Sequence, residues 1–496
     1  MDFSFFFQND FKISLPEVFL STAILILTLH STIIVTFRGV LLNNSLKILS
    51  ILTLSSVFYL LINDKIIFSN FFSNLFISDD LSLIIKLFIT FFTISCFFIF
   101  DDFLYLLRVN RFEYFILILC TLFSLMLLVS SYDLISLYLA IEMQSFCLYV
   151  LAAFKKNSSF STEAGIKYFI IGSFSSCLLL FGISLVYFSL GTTNYLNFQL
   201  IVSEVFYTNT FLQVNSFLFS SLFLILFAFL FKISSAPFHI WIGDIYEGSP
   251  SSSTAFFAIV PKIALFTALL RFFYALNLFD FLFEFVLILC SSFSIFFGTF
   301  LSLKQRRLKR FFAFSSVSHV GYILLACSFS SIESIESTFF YILCYSVTVL
   351  SLWIVFFALQ TSVNVGKSKE IADLSLFSFK NPSIAFSLLL SLFSLAGIPP
   401  LAGFLAKINI FINVFDGSLY FFCFFIILVS VISAFYYLRL IKILYFEKNS
   451  LNFFLLPMSY SSSLVLSFCN FILIFFFLNP SVLYLISQKM SLCLFS

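Results

Sequence analysis

The stretch FAFLFKISSAPFHIWIGDIYEG, Phe227 to Gly248, sets a lysine, a proline and a histidine inside a run that otherwise reads as lipid-facing helix. Proline has no N–H and cannot donate to the carbonyl four residues back, so Pro237 leaves the Ile233 carbonyl without its helical partner. At membrane depth such a carbonyl persists only beside water or another polar group. Lys232 stands one residue before it, where a charge costs about 2.5–3.5 kcal/mol on insertion scales. The lysine and the break therefore imply one feature, a hydrated pocket inside a membrane helix. The plain alternative is a lysine that snorkels to an interface, and Lys232 lies deep from either end of its run for that reach.

Working outward, the composition removes the soluble classes. Of 496 residues, 61% are hydrophobic and 10% are charged, against about 25% charged in a soluble domain. No linker or polar block separates a soluble part from a membrane part. Phenylalanine supplies 81 residues; side-chain physics gives no reason to prefer it so strongly over leucine in lipid, whereas a T-rich coding strand does. The net charge of +3 is uninformative about partners, because what matters is where the charges sit. The ten cysteines include no C-x-x-C pair, and nine lie in apolar runs. They read as small hydrophobes, with no disulfide, zinc or iron–sulfur site and no other metal site. The N-terminus, MDFSFFFQNDFKISLPEVFL, carries two aspartates, a glutamate and no arginine, which suits neither a transit peptide nor a signal peptide. The first helix is expected to be kept.

Runs able to cross a bilayer need about 20 apolar residues. They fall near 17–37, 46–63, 81–100, 112–130, 132–154, 166–190 and 216–246, then near 252–275, 281–301, 311–329, 335–360, 383–415, 418–446 and 460–487. All fourteen should be helical, because lipid offers no partner to open backbone groups. Loops after odd-numbered spans hold Arg38, Arg108, Arg111, Lys155, Lys156, the KQRRLKR cluster at 304–310, Lys367, Lys369, Lys380, Lys442 and Lys448. Loops after even-numbered spans hold Asp79, Asp80, Asp133, Glu204, Asp280, Glu333, Glu336 and Asp416, of which Glu204, Glu333 and the aspartates read as solvated surface. This segregation follows the positive-inside rule and puts both termini on the acidic, outer face. GDIYEGSP, after span seven, dissents: it is acidic on the basic side. KQRRLKR reads as an orientation signal that also meets anionic headgroups.

Within the spans the ionisable residues singled out are Glu142, Lys232, Lys262 and Lys407, with His239 and His319 nearby. Glu142 lies in LYLAIEMQSFCLYV; its plain alternative is a carboxylate reaching the interface. Lys262 follows Pro261, repeating the proline–lysine pairing one span later. In SLAGIPPLAGFLAKINIF, Pro399 and Pro400 free the carbonyls of Leu395 and Ala396, with Lys407 two turns on. Buried ionisable groups of this kind mark ion or proton paths by default. His239 and His319 titrate in the neutral range when unperturbed, and hydrogen-bonded packing competes with a relay role for each. His30 is assigned no role. Proline-broken spans seven and twelve are five apart, so a five-helix repeat would be inverted. The fold class read here is an all-α polytopic membrane protein of about fourteen transmembrane helices, with two inverted five-helix repeats containing broken helices seven and twelve. The units are an N-terminal three-helix segment (1–110), two repeats (111–276 and 277–447) and a C-terminal helix (448–496). Desolvation disfavours the charged form of a buried lysine and a nearby carboxylate favours it, so moving the carboxylate would let a row of such lysines pass protons in steps.

Four strings then resemble a known family. They are EAGIKYFIIGSFSSCLLLFGISLVYFSLGTTN (163–194), FKISSAPFHIWIGDIYEGSP (231–250), RFFAFSSVSHVGYILLA (310–326) and LSLAGIPPLAGFLAKINIF (394–411). Together they resemble the subunit 2 family of respiratory NADH:ubiquinone oxidoreductase, one of the antiporter-like subunits of the complex I membrane arm. The resemblance runs from about Asp133 to Tyr445. It implies an ion pair between Glu142 and Lys232, motif lysines at Lys262 and Lys407, and a central polar axis to which His319 belongs; His239 matches a proline–phenylalanine–histidine motif. It implies no flavin, nucleotide or cluster on this chain, with NADH, FMN, iron–sulfur clusters and ubiquinone handled by other subunits. The expected partners are neighbouring membrane-arm subunits, including antiporter-like ones, and lipids such as cardiolipin, not nucleic acid. The expected location is the mitochondrial inner membrane, from an organelle gene. A subunit of a multisubunit sodium/proton antiporter is the competing reading, and a passive scaffold held together by its buried charges is a third.

Overall fold

The computed structural model describes residues 10–35, 39–64, 68–106, 111–207, 211–275, 281–359, 370–375, 377–447, 458–476 and 478–495. An N-terminal group holds α1 (Leu15–Val35), α2 (Gly39–Asn63) and α3 (Asp80–Leu106). Between α2 and α3 lies a small antiparallel hairpin, β1 (Ser69–Phe71) against β2 (Phe76–Ser78), with Phe71 stacked on Phe76. It is the one sheet among the described residues, and it fits a loop that need not cross lipid.

Next come α4 (Phe112–Ser130), α5 (Leu134–Ala152), α6 (Ser159–Leu190) and α7 (Tyr195–Tyr207). The broken pair α8 (Phe211–Ile233) and α9 (Ile240–Gly248) leads to α10 (Ser251–Ala275). The second half holds α11 (Phe281–Lys304), α12 (Leu308–Cys327), α13 (Ile332–Ala358) and the short α14 (Phe377–Lys380). A second broken pair, α15 (Pro382–Ala396) and α16 (Ala402–Asp416), precedes α17 (Tyr420–Phe446), α18 (Tyr460–Phe475) and α19 (Ser481–Phe495).

Among the described residues, eleven helices are long and apolar enough to cross a membrane. They coincide with the stretches read as spans one to six, eight to eleven and thirteen. The stretches read as spans seven and twelve hold the broken pairs. The stretch 460–487, read as one helix, is two: α18 ends before Asn479–Pro480 and α19 begins after it. Proline disfavours helical backbone at the residue before it and donates no hydrogen bond, so the break follows from Pro480. Pro261, by contrast, sits inside an unbroken α10.

Burial is graded from centre to edge. The membrane-length window of α10 is 100% buried, that of α13 94% and that of α12 89%, against 28% for α2 and α17. A helix surrounded by protein needs no apolar stripe, so α10 can be apolar all round and still hold a lysine. The interior helices are the ones that carry Lys262, His319 and the tyrosines between them.

The dissenting acidic stretch GDIYEG is helical, within α9, and its carboxylates are paired with distant basic residues. Helix α6 begins at Ser159, seven residues before the expected 166, and Lys167, in its first turns, reaches Asp244 at 2.9 Å. Arg310 Nη2 also bonds Asp244 at 2.9 Å, and Arg307 and Arg310 both pair with Glu247. Two of the five basic residues of the KQRRLKR cluster thus meet protein carboxylates, and Lys309 Nζ donates to the Ser249 carbonyl at 2.7 Å. The arginines are about 40% exposed (44% and 39%), but Glu247 is only 8% exposed. Solvent screens the pairs, while a buried carboxylate that loses a partner is costly. Arg310→Gln is therefore expected to loosen α9, read as faster amide exchange over 240–248 with the rest of the bundle unchanged.

The expectation of solvated aspartates fails at two positions. Asp79 is buried and takes Arg271 Nη2 on both carboxylate oxygens, at 2.8 and 2.7 Å. Asp133 is buried, caps α5 by accepting from the Ile135 N–H at 2.7 Å, and accepts from Thr193 at 2.9 Å. Both carboxylates satisfy orphan donors at helix ends. Arg38, Arg108, Asp280, Lys367, Lys369, Lys448 and the side chain of Glu204 lie outside the described residues.

Candidate functional site

Lys232 is the penultimate residue of α8, just before the break that ends at His239. The carbonyls freed there find donors locally: Leu230 accepts from the Ser235 N–H at 3.1 Å, Phe231 from Trp241 Nε1 at 3.1 Å, and Ile233 from the Ser234 hydroxyl. Lys232 is thereby left for other partners. Its Nζ donates to Tyr149 Oη at 3.3 Å, reaches the Gly172 carbonyl at 3.5 Å and lies 5.8 Å from the Tyr149 ring centroid.

The resemblance pairs Lys232 with Glu142, and here the structure differs. No ion pair joins them among the described residues, and Glu142 Oε1 is buried without a hydrogen-bond partner. Tyr149, seven residues along α5 from Glu142, occupies the lysine instead. Glu142 remains within electrostatic range of Lys232. The close seat depends on Gly172, where a Cβ would stand 1.9 Å from Tyr149 Oη. Gly172→Ala should displace the phenol and lower the thermal stability of the bundle, and pairing it with Tyr149→Phe, which removes the clashing hydroxyl, should recover part of the loss.

From Lys232 the polar row continues through a cavity of about 30 Å³ that both Lys232 and Lys262 line, together with Gln144, Ser145 and Tyr246. That volume admits a water or two. Gln144 Oε1 is buried and without a partner among the described residues. Lys262, buried on α10, points its Nζ at Tyr345 Oη at 3.5 Å and lies 5.5 Å from that ring centroid. The Tyr345 ring is 5.4 Å from the His319 ring. His319 is buried between two phenols, with Nδ1 2.7 Å from Tyr341 Oη and Nε2 3.1 Å from Tyr437 Oη.

Beyond His319 the row ends on Lys407 of α16. Its Nζ donates to the Leu395 and Ala396 carbonyls at 2.8 and 2.9 Å and sits 5.4 Å from the Tyr322 ring centroid. Those are the two carbonyls that Pro399 and Pro400 deprive of helical donors. Gly397 closes α15 with φ +81°, and a Cβ there would lie 2.8 Å from Lys407 Cδ, so the lysine fills the space that the glycine leaves. Lys232 and Lys407 thus use their breaks differently: one is released by the break, the other repairs it.

His239 stands apart from this row. It precedes α9, its ring stacks on Phe297 at 5.8 Å, and its Nδ1 has no partner among the described residues. The residues that sequence reasoning missed are the tyrosines Tyr149, Tyr322, Tyr341, Tyr345 and Tyr437. A buried phenol seeks a partner for its hydroxyl, and Tyr341 and Tyr345 share a face of α13 at i, i+4; that spacing was the available signal. Among the described residues no group of three or more His, Cys, Asp and Glu side chains is placed to hold a metal ion.

A bundle with two broken helices and a buried lysine row is an antiporter-like membrane domain, and residues 131–433 match the family described as NADH:quinone oxidoreductase/Mrp antiporter, transmembrane. The NADH-ubiquinone oxidoreductase chain 2 of Marchantia polymorpha is 37% identical over 98% of this chain and 99% of its own length. The NADH-quinone oxidoreductase subunit N of Pelagibacter ubique is 38% identical over 89% of this chain and 91% of its own. The chain belongs to this chain 2/subunit N family. In fold it is similar to a chain of respiratory complex I from Thermus thermophilus (24% identity, TM-score 0.78, covering 95% of this chain and 98% of that one). It is also similar to a chain of the Mrp complex from Dietzia sp. (18%, TM-score 0.82, 98% of each). The fold is common to both assemblies, so the sequence relatives decide between them.

Proposed function

We propose that this chain moves protons across its membrane as an antiporter-like subunit of an NADH:ubiquinone oxidoreductase, through Glu142, Lys232, Lys262, His319 and Lys407. The observation that carries the reading is the shared cavity: Lys232 and Lys262 line one water-sized space, and Lys262 leads through Tyr345 to His319 inside helices with almost no lipid face. Each amine is held by neutral phenols or carbonyls, so its charge is balanced only at a distance. A shift of Glu142 toward or away from Lys232 changes how well the charged amine is tolerated, and a proton released at Lys232 enters the space that Lys262 also faces. Pro237, Pro399 and Pro400 keep backbone carbonyls polarised at membrane depth. His239 packs the first break and stands to the side of the row.

Units 111–276 and 277–447 are the inverted repeats, with α8/α9 and α15/α16 as corresponding breaks, flanked by segments 1–110 and 448–496. The oxidation of NADH by way of FMN, iron–sulfur clusters and ubiquinone belongs to other subunits, and neighbouring membrane-arm subunits are the partners. Cardiolipin meets the basic face. The location is the mitochondrial inner membrane; the phenylalanine excess and the chain 2 relatives of land plants support an organelle gene. The identities of 37% and 38% to chain 2 and subunit N relatives favour this over a multisubunit sodium/proton antiporter.

Lys232→Met tests the reading. The assembled complex should keep its subunits while quinone-reductase activity and proton movement both fall sharply, with no dependence on sodium. Unchanged activity would leave Lys232 a scaffold residue, and sodium-dependent transport would shift the assignment to the antiporter class.

A further inference from the structure

A second polar site lies in the N-terminal group, away from the lysine row. Lys86, six residues into α3, is ion-paired with Glu17 of α1, and both are buried. Their pair forms part of the wall of a cavity of about 190 Å³, lined also by Lys12, Asp64, Asp79 and Ser82. Asp79 accepts from the Ser82 N–H at 2.8 Å and from Arg271. Lys12 is exposed and Asp64 is half-buried, so these two stand at the mouth and the Glu17–Lys86 pair lies deeper. Every one of these residues belongs to the end of the bundle that the loop charges assign to the outer face.

The charges decide what the cavity holds. Lys12, Lys86 and Arg271 offset Glu17, Asp64 and Asp79, so neither an anion nor a cation finds an uncompensated counter-charge. The volume admits several waters, and the contents that suit a balanced polar wall are water and protons. The site is also tied to the interior. Arg271 lies nine residues beyond Lys262 on the same helix, roughly 14 Å along its axis, and grips the carboxylate that walls the cavity.

We infer that the Glu17–Lys86–Asp64 cavity is a proton-exchange site opening to the outer face, at which Asp64 passes protons between water in the cavity and outer water. The inference rests on the proton-moving reading of the chain. In the outward direction an O–H bond of a protonated cavity water breaks as an O–H bond forms on the Asp64 carboxylate. The Asp64 O–H then breaks as outer water takes the proton, and the carboxylate and the Glu17–Lys86 ion pair are left as they began. The charged groups facing Asp64 are Lys12, Glu17 and Lys86, with Asp79 balanced by Arg271. Burial first, then the Glu17 charge, pushes the Asp64 carboxyl up to about 6 against the pull of Lys86, so it exchanges protons near neutral pH.

The test uses the assembled complex in proteoliposomes. Asp64→Asn should keep the subunits and the quinone-reductase activity while protons moved per electron fall. Infrared titration of the wild type should show a protonated-carboxyl band with a midpoint near pH 6, absent in Asp64→Asn. Glu17→Gln should lower that midpoint, by roughly one unit, and Lys86→Met should raise it. The infrared arm reads the site directly, so Asp64→Glu serves it where Asp64→Asn fails to assemble. A band that ignores Glu17, or unchanged pumping in Asp64→Asn alongside lost pumping in Lys262→Met, overturns the exchange site and leaves the lysine row standing. Unchanged pumping in both variants overturns the two together.

Discussion

Lys262→Met should leave the assembled complex intact and cost roughly tenfold or more in quinone-linked proton movement, the scale of a lost proton-transfer group. The structural cost is small because the Lys262 amine makes a single long contact, 3.5 Å to Tyr345. Methionine has nearly the length of lysine, and replacing a buried charge by an apolar group of similar volume is often neutral or stabilising. Tyr345 loses little and α10 stays packed. Lys262→Arg sharpens the result. Guanidinium keeps the positive charge but does not release its proton, so a role in holding charge alone would survive the change and a role in passing protons would not. Assembly is read on native gels, and proton movement by dye quenching against quinone-reductase rate. Full activity in Lys262→Met would remove this lysine from the row and break the link between the cavity and His319.

The contrast between Lys262 and its neighbours shows why parts of this site were legible in the sequence. Proline arithmetic is local: Pro399 and Pro400 name the carbonyls of Leu395 and Ala396 from spacing alone, and Lys407 lies within reach of both. The same arithmetic named Ile233 at Pro237, yet a serine hydroxyl one residue on answers that carbonyl and leaves Lys232 for Tyr149. The tyrosines stayed hidden because each hydroxyl meets its partner across the bundle; Tyr437 is 118 residues from His319. Distance in sequence also hid the Glu17–Lys86 and Asp79–Arg271 pairs, 69 and 192 residues apart. Helix periodicity marks where a chain crosses lipid, but it carries no information on which distant charge waits on the facing helix. The GDIYEG stretch of α9 makes the same point. It opposes the loop-charge pattern when read alone, and both its carboxylates are paired once Lys167, Arg307 and Arg310 are brought to it.

Lys407→Met should behave unlike Lys262→Met, although the sequence offers the same substitution. Here the amine donates two short bonds, to Leu395 and Ala396, and these carbonyls have no helical donors because of the proline pair. Removing the amine strands two backbone acceptors inside the bundle. Each unsatisfied polar group at such depth costs several kcal/mol, comparable with the whole stability margin of a domain, about 5–15 kcal/mol. The expected result is a marked fall in assembled complex, with residual activity per assembled complex also reduced. Lys407→Arg keeps donors at the break, so it should restore assembly without restoring proton movement. Lys407→Met at full abundance would mean that the break at Pro399–Pro400 is satisfied by other donors, and that the lysine is held there for its charge alone. The two methionine variants together separate a lysine that completes the fold from one that the fold merely encloses.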